Sequence, residues 1–140
     1  MIKSIFTLFI TLVFAFSPLS LSAADKYRVV LQISDDSLDK QTLVLNVADN
    51  LYSSFGEALE LEIVAFGPGL NLMLSGNRQA QRLKSLSEHG VKLTACRTTA
   101  TKMAKLTGQE IRLLPNVRYA DGGAAHIVVL VKKGYVLLRP

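Results

Sequence analysis

Five short apolar runs recur along the chain with helical stretches between them, and this alternation restricts the fold more than any other feature. "YRVVLQIS" (27–34), "LELEIVAF" (59–66), "VKLTAC" (91–96), "NVRYA" (116–120) and "YVLLRP" (135–140) read as strands. After the first, "DDSLDKQTLVLNVADNLYSSFG" sets Val44, Val47, Ala48, Leu51, Tyr52 and Phe55 at helical spacing, and Gly56 stops it. "NRQAQRLKSLSEHG" turns Ala80, Leu83 and Leu86 inward and is capped by Gly90. "TTATKMAKLTG" starts with threonine, carries its lysines late and is followed by Gly108, the expected capping order. "GGAAHIVVLVKKG" reads as a last helix ending at Gly134, and "GPGLNLMLSG" reads as an interruption between elements. Strands joined through helices need crossovers and therefore run parallel. The predicted fold is α/β, a three-layer α/β/α domain with a mostly parallel five-stranded sheet.

The first 24 residues are predicted to lie outside that domain. "MIKSIFTLFITLVFAFSPLSLSAA" has one charge at Lys3, an apolar run from Ile5 to Phe16, a break at Pro18 and small residues at Ser22, Ala23 and Ala24. This is the layout of a secretory signal peptide cleaved near Ala24. Its apolar core is shorter than the roughly 20 residues of a membrane-spanning helix. The expectation is therefore a signal peptide over 1–24, a single domain over 25–140, a periplasmic or secreted location and no stable membrane insertion after cleavage. The formal charge of +5 is modest, and its basic residues are scattered without interleaved aromatics, so nucleic-acid binding is not suggested. A single cysteine excludes an internal disulfide framework. In an oxidising compartment Cys96 must be buried, paired between chains, or reactive.

In a parallel sheet the strand ends share one edge, where ligands tend to bind. Four segments should meet there: Ser34-Asp35-Asp36, Gly67-Pro68-Gly69, Cys96-Arg97-Thr98 and Tyr119-Ala120-Asp121-Gly122-Gly123. Cys96 is the chemical candidate, because a helix starting at Thr98 or Thr99 would turn unpaired N–H groups toward the sulfur and favour a thiolate or persulfide. Arg97 adjoins it, and Lys102 lies about one turn further on. A half-buried, inert cysteine packing as a small hydrophobe fits the same spacing. Gly67, Pro68 and Gly69 could bring N–H groups near an anion or wall a small pocket, or simply make a tight exit from the strand. "LNLML" is apolar enough to cover the thiol or meet another subunit.

The remaining polar residues have plainer explanations. Asp35 and Asp36 suit N-capping of the first helix, and His89 suits its helix end. His126 has no second ligand at metal spacing, and "DGG" after Tyr119 suits a turn. No phosphate-loop, dinucleotide, zinc-protease or nucleophile-elbow motif is present. No metal or cofactor is expected.

Together "KYRVVLQIS", "LEIVAFGPGLNLML", "GVKLTACRTT" and "GYVLLRP" resemble the DsrE/DsrF-like family of sulfur-relay proteins, from about Tyr27 to Pro140. The resemblance implies a parallel five-stranded sheet between helices, a homo-oligomer (trimer or hexamer), and a sulfur-carrying cysteine after the third strand, the position of Cys96. Relatives hold sulfur as a cysteine persulfide and pass it to a partner protein. The well-studied relay members are cytoplasmic, so an export signal departs from them and makes transfer-RNA modification an unsuitable role. The resulting expectation is an exported sulfur carrier, similar to a sulfurtransferase, acting through Cys96 with a donor or acceptor protein. Arg97, Thr98, Thr99 and Gly67-Pro68-Gly69 would surround the sulfur. The alternatives are a non-catalytic oligomer that binds a small ligand beside an inert cysteine, and a thiol redox sensor.

Overall fold

A computed structural model describes residues 25–140. The predicted leader, residues 1–24, lies outside the described residues.

The chain folds as β1 (Tyr27–Ile33), α1 (Leu38–Phe55), β2 (Leu59–Ala65), α2 (Ala80–Glu88), β3 (Lys92–Cys96), α3 (Arg97–Thr107), β4 (Val117–Ala120), α4 (Gly123–Lys132) and β5 (Val136–Leu138). All four strand pairings are parallel, in the order β4-β3-β2-β1-β5. The predicted fold class is therefore the observed one.

Strand alternation divides the core into two layers. Val29, Leu31, Ile33, Leu61, Ile63, Ala65, Leu93 and Ala95 face one way and pack with α1, α2 and α3 through Val44, Leu45, Ala48, Leu83, Leu86 and Ala100. Val30 and Val64 face the other way and meet α4 at Ile127 and Leu130, together with Tyr135. Three helices cover the first face and one the second. This asymmetry follows from the strand order. Right-handed crossovers carry β1 to β2 to β3 to β4 over one face, and the return to β5 must pass over the opposite face.

Two local expectations are corrected. The first helix is capped by Ser37, whose hydroxyl accepts from the Lys40 N–H, while Asp35 accepts from the Ser37 N–H. The aspartates therefore support the cap instead of forming it. "GPGLNLM" is not an open loop but a 3-10 segment, Gly67–Met73. Leu70, Leu72 and Met73 are fully buried in the main core of their own chain. The close approach of this segment to the end of β1 requires glycine. A Cβ on Gly69 would stand 2.4 Å from the Ile33 carbonyl oxygen.

Candidate functional site

Cys96 is the last residue of β3 and also the N-cap of α3, which begins at Arg97, a residue or two before the expected start. The displacement matters because the cap residue is the one whose side chain faces the unpaired amides of the first turn. By strand alternation Cys96 points to the α4 face, as do Glu62, Thr94 and Phe66. The chain leaves β3 toward α3 on one face and leaves neighbouring β4 toward α4 on the other. Adjacent parallel strands whose connections part in this way open a crevice at their carboxyl ends. Cys96 sits at that switch point.

The front ends of both helices consequently reach the sulfur. Gly123, the first residue of α4, is so close that a Cβ there would lie 3.1 Å from Cys96 Cβ and 2.9 Å from Phe66 Cβ. Burial pushes the Cys96 thiol up, but the Thr99 hydroxyl, the Thr99 amide and the amides of Gly123 and Thr98 outweigh it. The thiol lies below its ordinary value. It makes no side-chain cap hydrogen bond of full geometry. The residue is 5% exposed, so its anion would be held by N–H and O–H dipoles more than by water.

The other predicted residues fall around this centre in different ways. Thr99 Oγ1 accepts from the Gly67 N–H at 3.0 Å, which leaves its proton free to face the sulfur. Gly67 therefore acts through Thr99, and its amide is not free for an anion. Gly69 is buried against β1, and Pro68 lies between the two glycines. Thr98 bonds the Asp121 carbonyl through its hydroxyl at 2.8 Å and its amide at 3.2 Å, tying α3 to the end of β4. Arg97 turns outward: its Nε meets Asp121 Oδ1 at 3.2 Å, and its guanidinium lies 4.6 Å from the Tyr119 ring centroid. A shallow surface cleft beside it is lined by Arg97, Thr98, Thr101, Lys102, Lys105 and Asp121.

The sequence places Gly123 at the strand-end edge but gives no sign of its contact with Cys96. "DGG" looked like turn chemistry, and its second glycine acquires its role only when α4 is laid against β3. In the sequence His126 stands without a metal-spaced partner. Its Nε2 instead lies 2.6 Å from Oε1 of Glu62, a carboxylate only 2% exposed, which also accepts from Thr94 Oγ1 at 2.6 Å. Among the described residues no cluster of His, Cys, Asp or Glu is arranged to hold a metal ion. A cleft of about 1080 Å³ lies elsewhere, between Asp36, Asn71, Arg78, Met103 and Arg112, and Cys96 does not line it.

Fold and site together define a small parallel α/β protein with one cysteine at the switch point of its sheet, beneath two helix N-termini. Its sequence matches no family model and no curated protein. Among solved structures, MTH1491, a protein of unknown function from Methanobacterium thermoautotrophicum, superposes with a TM-score of 0.74 at 28% identity, over 82% of this chain and 100% of that one. The ychN protein from E. coli superposes with a TM-score of 0.64 at 18% identity, over 81% of this chain and 98% of that one, a likeness of fold alone. Both are small α/β proteins of the DsrE/YchN fold family, and the chain shares their fold.

Proposed function

We propose that the protein is an exported sulfur carrier of the DsrE/DsrF-like type. The Cys96 thiolate attacks the outer sulfur of a sulfane donor and keeps it as a persulfide, Cys96–S–S⁻. The donor leaves with the electron pair of its broken S–S bond; thiosulfate, for example, leaves as sulfite. An acceptor thiolate then attacks the outer sulfur, becomes the new persulfide and releases Cys96 as thiolate. Charge and electrons balance in both steps, with no external oxidant or reductant. The observation that carries this reading is the placement of Cys96 as the N-cap of α3 with the first residue of α4 packed against its Cβ, a setting in which the Thr99 hydroxyl and the Thr99 and Gly123 amides favour the thiolate. Arg97, Lys102 and Lys105 on α3 would give an anionic donor a positive approach.

Export rests on the sequence of residues 1–24; among the described residues no helix is long and apolar enough to cross a membrane. A homo-oligomer is part of the proposal. It is supported by exposed Val128, Val129 and Val131 on α4 and by Val136 and Leu137 on the edge strand β5, an apolar surface of the kind subunit contacts cover.

Intact-mass analysis after incubation with thiosulfate or polysulfide tests the central step. Wild type should gain about 32 Da, one sulfur atom, and Cys96→Ser should gain nothing. Equal uptake by both proteins would remove Cys96 from the role. The slight exposure of Cys96 favours a second reading, a structural or ligand-binding oligomer with an inert thiol. Under that reading the cysteine resists alkylation until the protein is denatured.

A further inference from the structure

The first residue of α4, Gly123, packs against Cys96, and its first turn has to be held in place by contacts with the sheet. This helix is alone on its face of the sheet, and its apolar anchor is small: Ile127 and Leu130 against Val30, Val64 and Tyr135, with Phe66 packed on the same cluster and on Gly123; ahead of the helix, Thr98 holds the Asp121 carbonyl. Ile127 and Leu130 lie beyond the first turn. Within the first turn Gly123 contributes no side chain, and Ala124 and Ala125 are exposed. The side chain there that bonds the sheet is His126, with Nε2 2.6 Å from Glu62 Oε1. Glu62 is itself fixed, because the same oxygen accepts from Thr94 Oγ1 at 2.6 Å. Thr94 precedes Cys96 by two residues on β3 and shares its face. The chain of contacts thus runs from Thr94, two residues before Cys96, through Glu62 and His126, to the helix whose first residue abuts Cys96.

We propose that Glu62 and His126 are positioning residues that clamp the first turn of α4 to the sheet and so aim the Gly123 N–H at Cys96. The proposal deepens the sulfur-carrier reading, since the atom positioned is the one that reading makes reactive. Burying a carboxylate is costly unless it is fully engaged, and a plain packing role for α4 would be met by a leucine at 126. A Glu–His pair instead fixes direction, because its hydrogen bond tolerates little rotation.

The test compares His126→Leu with His126→Gln, whose amide nitrogen can occupy the position of Nε2. The readout is the pH profile of Cys96 alkylation and of thiolate absorbance in the folded protein, which requires no sulfur donor. His126→Leu should move the thiol midpoint up by about 1 unit, the loss of one hydrogen bond to a charged sulfur, and lower the neutral-pH alkylation rate roughly tenfold. His126→Gln should keep most of the wild-type profile. Thr94→Val, which loosens Glu62 and leaves α4 untouched, should shift the midpoint the same way by less, and it serves if His126→Leu does not fold. An unchanged midpoint in a folded His126→Leu, or in Thr94→Val should that variant alone fold, overturns the clamp. Absence of the sulfur mass gain with a shifted midpoint would instead sink the carrier reading and leave the clamp standing.

Discussion

Adding one methyl group at Gly123 should separate the helix from the thiol without touching any polar atom. The new Cβ would lie 2.9 Å from Phe66 Cβ, 3.1 Å from Phe66 Cδ1 and 3.1 Å from Cys96 Cβ. Ordinary carbon contacts are about 3.5–4.0 Å, so the first turn of α4 must retreat by roughly half an ångström. Two of the three obstacles are Cβ atoms, which no side-chain rotation moves. Overpacking of this kind costs about 1–3 kcal/mol, offset by up to about 1 kcal/mol from the greater helix preference of alanine. Gly123→Ala should therefore fold with a modest loss of stability.

Its effect on Cys96 should be larger in relative terms. A hydrogen bond to a charged group is worth about 1.5–3 kcal/mol, and about 1.4 kcal/mol corresponds to one pH unit. Losing half to all of the Gly123 contribution raises the thiol midpoint by about 1 unit and slows alkylation at neutral pH roughly tenfold. The assay is the iodoacetamide rate as a function of pH, with thermal unfolding of the same samples as a check on the fold. A folded Gly123→Ala protein with the wild-type midpoint would refute the reasoning, because the thiol would then owe nothing to the amide of α4.

Two further outcomes follow from other parts of the structure. Thr99→Val keeps the shape of the residue but removes the hydroxyl that accepts from Gly67 and faces the sulfur; the thiol midpoint should rise by about 1 unit, and Thr99→Ser should restore it. Glu60 is held at about 2, first by its hydrogen bond from Lys92 at 2.5 Å and then by that from Tyr135 at 2.6 Å. A carboxylate lowered in the folded state stabilises above its unfolded value and loses that contribution as pH falls through its folded value. Urea unfolding should therefore show wild type ahead of Glu60→Gln by roughly 2 kcal/mol at pH 7, the gap closing between about pH 4.5 and 2; a gap independent of pH would contradict the assignment.

Much of the fold was legible because the elements advertise themselves locally. β-branched apolar runs gave all five strands to within a residue or two, except that the last is shorter at Val136–Leu138, and glycines marked the helix ends. The 3-10 segment Gly67–Met73 was illegible for the opposite reason. Its sequence has the look of a loop, and its leucines become core only because Gly69 lets the backbone lie against the Ile33 carbonyl, a contact between residues far apart in sequence. Glu62 was hidden too. In "LELEIVAF" it alternates like a solvent-facing residue, yet α4 closes over it and His126 reaches its carboxylate.

The sequence alone determined that the strands are parallel and that the single cysteine stands at the carboxyl end of the third, since periodicity and connection length are properties of neighbours along the chain. Only the tertiary structure decided which face each helix takes. That choice puts α3 and α4 on opposite sides of adjacent strands and brings Gly123 against Cys96. Strand order and crossover direction are settled by burial between distant segments, which no local spacing encodes. The electrostatic setting of the sulfur is accordingly a product of the assembled sheet.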